Sequence, residues 1–211
     1  MRLTILAGFT FLLCSCTAQT TAQVTENTTA VTTAVVSLKC NSDAPQVSAI
    51  ELANTPLPER SGARIQTSGR VPHVQVGVNS VAEVNQELFK LAFMLPDLEE
   101  HPTIVSLPGA IGMWLAEGVT VAYPKAIVSG REFAHIHTDG SLHTPLPLER
   151  ALELEQKGWG ERHPWADRND GWEGLVMLYS ASTEDELKTL VQLITESYNH
   201  VTGRTVSPPG C

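Results

Sequence analysis

Residues Arg131–His143 read REFAHIHTDGSLH, and the rest of the chain is read outward from them. Phe133 to His137 alternate in the manner of a strand, and Asp139-Gly140 follows as a reverse-turn pair. The pattern predicts an antiparallel hairpin, Arg131–His137 against Ser141–Thr144, with Asp139 and Gly140 supplying the positive-φ turn residues. Three of the chain's seven histidines fall within these thirteen residues. Side chains two apart on a strand share a face, so His135 and His137 are expected together, with Phe133 in line beneath them. Ala134 and Ile136 then take the opposite face and the core. If the hairpin closes at Asp139-Gly140, His143 on the returning strand comes near His137.

The flanking segments supply a domain around this hairpin. GLVMLYSA (Gly174–Ala181) is a continuous apolar run between turns, which predicts a central strand covered on both faces. Val81, Val84, Leu88, Leu91 and Leu95 recur at three- and four-residue steps, a helix capped by Asn79 or Ser80 and stopped by Pro96. Pro147 opens a second helix that ends at Gly158. Ser182 or Thr183 caps a third, whose stripe is Leu187, Leu190, Val191, Ile194 and Tyr198 and whose stop is Gly203. Short strands are predicted over PHVQVGV (72–78), Thr103–Leu107 and Ala110–Leu115. Strands and helices interleave without βαβ repetition, so the expected fold is α+β: a mixed or antiparallel sheet with about three packed helices in a single domain, residues 69–203, followed by a tail, 204–211.

A chain of 211 residues with 42% apolar residues has room for one cored domain. A net charge of −9 argues against nucleic acid as a partner and leaves a small molecule as the expected one. Arg2 followed by the apolar Leu3–Leu13 reads as an export signal over residues 1–16, too short to span a bilayer. Leu13-Cys14-Ser15-Cys16 resembles a lipoprotein box, which predicts lipidation at Cys16 as the one membrane attachment; cleavage after Ala18 is the competing route. The cell envelope, the periplasm or the exterior is the expected location. Residues 17–68 read as a disordered tether followed by an irregular arm. In an oxidising compartment Cys40 and Cys211 would be free to bridge the two ends.

Three chemistries remain open for the histidines. His135, His137 and His143 on one patch suit a divalent transition metal with open positions. A histidine titrating near neutrality can instead take a proton from a phenol or enol while a second holds the anion, with no cofactor at all. The third reading is solvated or hydrogen-bonded imidazoles on an ordinary hairpin. His163, beside Glu161 in GWGERHPW, is a fourth candidate, with Glu161 placed to orient or tune it. GWGERHPW reads as a loop, and Trp159, Trp165 and Trp172 crowd the same loop region, where aromatics line a pocket or cover the edge of a core.

The run REFAHIHTDGSLHTPLP, followed by KGWGERHP and by GLVMLY before an acidic helix, resembles the luciferase-domain family, whose bacterial members are related to the fungal luciferases. VPHVQV and IVSLPGAIGMWL are similar to its first strands, and the likeness runs from about Gly69 to Gly203. Fungal members oxidise a polyphenolic pyrone with molecular oxygen and emit light; bacterial members carry the name by domain similarity alone. The resemblance implies an exported oxidoreductase-like or monooxygenase-like domain for a small aromatic or enolic compound. Its matching positions are Arg131, Glu132, His135, His137, Ser141, His143, Trp159, Glu161 and His163. The catalytic set it suggests is His135, His137, His143, Glu161 and His163, with Arg131, Ser141, Trp159 and Tyr179 toward substrate. The family pattern places Pro-Arg after the strand tyrosine. Here Tyr179 precedes Ser180-Ala181-Ser182, which leaves Arg131 as the substitute cation. A non-catalytic envelope module that captures a metal ion or small ligand is the alternative function.

Overall fold

The computed structural model describes residues 48–210. The expected leader, lipid attachment at Cys16 and Cys40–Cys211 bridge lie outside the described residues. No helix among the described residues is long and apolar enough to cross a membrane.

The elements in chain order are α1 (Ala49–Asn54), α2 (Ala82–Ala92), β1 (Leu98–Pro102), β2 (Ile111–Leu115), β3 (Glu132–Ile136), β4 (Leu142–Pro145), α3 (Leu148–Gln156), β5 (Gly160–Arg162), β6 (Leu175–Leu178) and α4 (Glu184–Thr202). The strands form a six-stranded sheet in the order β1-β2-β3-β4-β6-β5, antiparallel at every pairing. The fold is therefore the α+β class expected, with three longer helices against an open antiparallel sheet.

The apolar stripes explain which face the helices cover. Leu187, Leu190, Val191, Ile194 and Tyr198 of α4 are all buried, as are Val84, Leu88 and Leu91 of α2. Phe133 meets Tyr198 edge-on at 6.0 Å between centroids, and Thr144 Oγ1 lies 2.5 Å from Ser197 Oγ of α4. Thr183 caps α4 by accepting from the Glu186 N–H, and Gly203 ends it at φ 71°. Arg150 of α3 grips both carboxylate oxygens of Glu196 of α4 and also donates to Thr55 O, which joins α1, α3 and α4.

Several expected elements fall elsewhere. The first strand of the sheet is LEEHP, Leu98–Pro102, and not Thr103–Leu107. Its exposed Glu99, Glu100 and His101 make a charged edge, a composition that resists pairing with another chain. Val81 precedes α2 without a side-chain cap, so neither Asn79 nor Ser80 caps it. GER in GWGERHPW is a short edge strand, β5, and not a loop. PHVQVGV does not join the sheet. It folds back on its own upstream residues through Ser68 N–H to Val74 O and Val76 N–H to Gln66 O. Its parity is the reverse of an ordinary strand's, with His73 and Gln75 buried, Val76 exposed and Val74 and Val78 half-buried.

Ahead of it, Leu57 is 3% exposed within the main core and the Trp159 indole donates to Pro58 O, so the arm is packed onto the domain before it reaches His73.

Candidate functional site

Register alone lays a polar row across the sheet. His135 pairs with Gly112 and His143, His143 with Met177, and Met177 with Glu161. Paired residues project on the same face, so His135, His143 and Glu161 stand together on the side away from α4. His137 and His163, two residues further along their chains, extend the row.

An irregularity between Met113 and Trp114 shifts the pairing by one residue, so Trp114 opposes Glu132 while Met113 opposes Ala134. Phe133 is the extra residue. It joins Ala134 in the core, and Glu132 is turned onto the histidine face. The expectation of Phe133 in line beneath His135 is thus corrected, because a bulge re-aims the side chain next to it. Glu132 Oε1 lies 3.1 Å from His135 Nδ1 and accepts from Thr103 Oγ1, while Oε2 accepts from the Ile104 N–H. Gly112 leaves the space for this group: a Cβ there would sit 2.6 Å from Trp114 Nε1 and 3.2 Å from Glu132 Cδ.

The hairpin turn also differs from expectation. Gly140 has φ 81°, but Asp139 does not take a positive φ. The His137 N–H donates to Ser141 O and the Gly140 N–H to His137 O, closing a three-residue loop with glycine at its left-handed position. Asp139 is released to use its side chain, accepting from the Ser141 N–H and from Ser141 Oγ. Having donated to Asp139, the Ser141 hydroxyl accepts from His137 Nδ1 at 2.9 Å. His137 Nε2 keeps its lone pair and takes the Ser106 hydroxyl at 3.2 Å.

The arm adds a fifth imidazole. His73 Nε2 lies 2.7 Å from Glu161 Oε1, which also accepts from Thr67, while Glu161 Oε2 accepts from the Tyr179 hydroxyl. Gln75 fastens the segment to both Asp139 and Ser180. His73 was not anticipated as a site residue. The available signal was the pairing of His73 with Gln75 at alternate positions among valines. Glu161 orients His73, not His163 as expected. His163 Nδ1 accepts from the Trp165 N–H, which fixes the proton of its neutral ring on Nε2.

Five rings result, crowded about His143. Its centroid is 5.0 Å from that of His135, 4.9 Å from His137, 4.8 Å from His163 and 5.2 Å from His73. Three buried ring nitrogens, His73 Nδ1, His135 Nε2 and His143 Nε2, have no hydrogen-bond partner. Two groups bring one nitrogen from each member within 4.8 Å of the others: His135, His137 and His143, and His73, His143 and His163.

The electrostatics keep much of this cluster neutral. Burial, then the neighbouring imidazoles, push His137 and His163 down to about 4, and the more deeply enclosed His143 well below its ordinary value. Burial tends to raise the two carboxyls. Hydrogen bonds from His135, Ile104 and Thr103 to Glu132, and from Thr67, His73 and Tyr179 to Glu161, outweigh it and hold both below the usual carboxylate range.

The other expected substrate contacts are otherwise engaged. Arg131 donates to the carbonyls of Leu115, Ala116 and Val119, so it clamps the turn after β2 and is not the substitute cation beyond Tyr179. At that place stands Arg60 of the arm, over the Tyr179 ring and donating to Ser180 O. Trp159 is buried in the core and holds the arm. Trp165 and Trp172 stack at 6.4 Å beside His163, with Arg168 over Trp165. A cavity of about 440 Å³ opens at His137, lined by Asn85, Phe89, Ile111, Ile136 and Thr138 among others.

The family model described as Luciferase domain matches residues 130–197. Over residues 130–197 the chain is similar to a luciferase domain. The matched stretch holds Glu132, His135, His137, His143, Glu161 and His163, while His73 precedes it. Among curated relatives, a protein named Luciferase from Armillaria mellea is 28% identical over 72% of this chain and 65% of its own length. One of the same name from Armillaria gallica is 28% identical over 69% of this chain and 61% of its own. A third, from Neonothopanus nambi, is 33% identical over 34% of this chain and 28% of its own. The chain thus spans somewhat under two thirds of the length of the two Armillaria relatives. No solved structure matches the chain significantly.

Proposed function

We propose that this domain belongs to an exported oxidoreductase that oxidises a small aromatic or enolic compound with dioxygen. The observation that carries the reading is the crowding of five imidazoles on one face of the sheet, and a cavity of about 440 Å³ between α2 and the end of β3 reaches His137 alone among them. That volume falls in the range that encloses a small flat ligand. His137 is held below its usual pKa with a lone pair on Nε2, so at neutral pH it is unprotonated and, being a weak base, is suited to take the proton of a strongly acidic enol or hydroxypyrone. The anion then donates electrons to dioxygen, forming a carbon–oxygen bond at the activated ring or chain carbon. His163, with its proton fixed on Nε2, supplies a donor to an oxyanion. Export is supported by Arg2 and the apolar Leu3–Leu13.

Oxygen uptake by the purified protein, measured across phenols, catechols and hydroxypyrones, tests this. Substrate-dependent uptake is expected, falling about a hundredfold or more in His137→Gln, the scale of a lost general base. No uptake by the parent across the panel would remove the oxidation reading. The unpartnered nitrogens favour a second reading, a binding module; tight binding without turnover in the same assays would establish it.

A further inference from the structure

We infer that the Nε2 atoms of His135, His137 and His143 form a binding site for one divalent transition-metal ion, and that His73 and His163 lie outside its ligand set. The inference shares the site of the oxidation reading but not its chemistry. Both groups of three have metal-like spacing, so distance alone does not choose between them. Hydrogen bonding does.

A neutral imidazole coordinates through the nitrogen that lacks the proton, and the partner of its other nitrogen decides which one that is. In His135 the ionised Glu132 takes the Nδ1 proton, leaving the Nε2 lone pair buried and without a partner. In His137 the Ser141 hydroxyl, already committed to Asp139, accepts the Nδ1–H, so the lone pair is on Nε2, where the Ser106 hydroxyl now meets it at 3.2 Å and an ion would displace that hydroxyl. His143 Nε2 is likewise buried and unpartnered, and its ring is 7% exposed. Two of the three ligands therefore carry the outer support that metal-bound histidines usually have, one through a carboxylate directly and one through a hydroxyl.

The competing group fails at one member. The Trp165 N–H occupies His163 Nδ1, so Nε2 is protonated and has no lone pair to offer. Using it would require breaking the Trp165 bond so that the ring's one proton moves to Nδ1, or removing that proton to leave an imidazolate. His73 could offer Nδ1, but with His143 alone it makes two ligands and not three.

The geometry needs only a small contraction. Nitrogens about 2.0–2.1 Å from a tetrahedral ion are roughly 3.3 Å apart. One nitrogen from each of the three rings lies within 4.8 Å of the others, and His137, the least enclosed of them, is the ring whose rotation would bring Nε2 inward. Three neutral nitrogens and no carboxylate in the inner set select Zn²⁺, Co²⁺, Fe²⁺, Ni²⁺ or Cu²⁺ over Mg²⁺ or Ca²⁺, and leave at least one coordination position open.

The test is titration of the purified protein with Zn²⁺ and with Co²⁺, followed by calorimetry and by the visible absorption of bound cobalt. One ion per chain is expected. His143→Ala, His135→Ala and His137→Ala should abolish stoichiometric binding, and His163→Ala should retain it. Glu132→Gln, which keeps the shape of the side chain, should weaken binding 10- to 100-fold. Circular dichroism confirms that each variant is folded, and His137→Ala, at the least buried ligand, remains informative if the deeper variants do not fold. A folded parent that takes up neither ion would overturn the inference. So would binding lost in His163→Ala but kept in His137→Ala, which would place the ion in the other group. Cobalt-loaded protein that consumes no oxygen on the substrate panel leaves the metal site standing and removes the oxidation reading. Oxygen uptake by protein that binds neither ion does the reverse.

Discussion

His73 reaches across eighty-eight residues of sequence to place Nε2 within 2.7 Å of Glu161 Oε1, so a segment outside the sheet supplies one imidazole and the edge strand supplies its anchor. Glu161 accepts three hydrogen bonds in all, from His73, Thr67 and Tyr179. Its substitution by glutamine keeps the size but removes the charge that strengthens each of them. We expect Glu161→Gln to lower stability by about 1–2 kcal/mol, the scale of weakened charge-assisted bonds at a part-exposed site. Urea denaturation measures it, and a change below about 0.5 kcal/mol would show that Glu161 does not hold the arm.

Acid should destabilise the fold well before general acid denaturation. His137 and His163 titrate near 4 in the folded chain and near 6.5 when unfolded, so between these values the unfolded chain binds the extra protons. The folded state is therefore penalised progressively as pH falls from about 6.5 toward 4, and His143 adds to the effect in the same direction. Below 4.5 the loss deepens as Glu132 and Glu161, whose carboxyls are depressed in the folded chain, are protonated. Thermal melts at successive pH values should show the midpoint falling across this window; a flat profile from pH 7 to 4.5 would contradict the neutral cluster.

Leu57 fastens the arm into the core ahead of His73. Leu57→Ala should cost about 2–4 kcal/mol, the usual penalty for truncating a buried leucine. Hydrogen exchange should become faster at Ser68, Val74 and Val76, whose amides donate within the arm, than at the strands of the sheet. Uniform acceleration over the whole domain would mean that the arm has no separate stability.

Arg131 separates structural from chemical roles. Arg131→Ala removes three hydrogen bonds to backbone carbonyls and should cost about 3–4.5 kcal/mol, at about 1–1.5 kcal/mol for each bond. Binding of Zn²⁺ by the folded variant should be unchanged. Lost binding with unaltered stability would return Arg131 to the site.

The hairpin, the central strand and the three long helices were legible because each shows a clear period over enough residues. What the sequence concealed were departures from periodicity. One extra residue at Phe133 reverses the parity of β3 and delivers Glu132, and nothing in REFAHIH announces it. PHVQVGV has a strand's alternation, yet its hydrogen bonds close within the arm and its polar members turn inward. Tautomers were equally hidden, since they depend on the turn that frees Asp139 and on the Trp165 amide. GER has a loop's sequence because three residues carry no period, and only pairing with β6 makes it a strand.

The placement of His73 has a practical consequence for anyone trimming this protein. A fragment cut to residues 130–197 would omit α2, β1 and β2 together with the fifth imidazole, and would leave the Glu161 carboxylate facing solvent where a ring should be. Expression boundaries need to begin upstream of Leu57 for the imidazole assembly to be inherited whole.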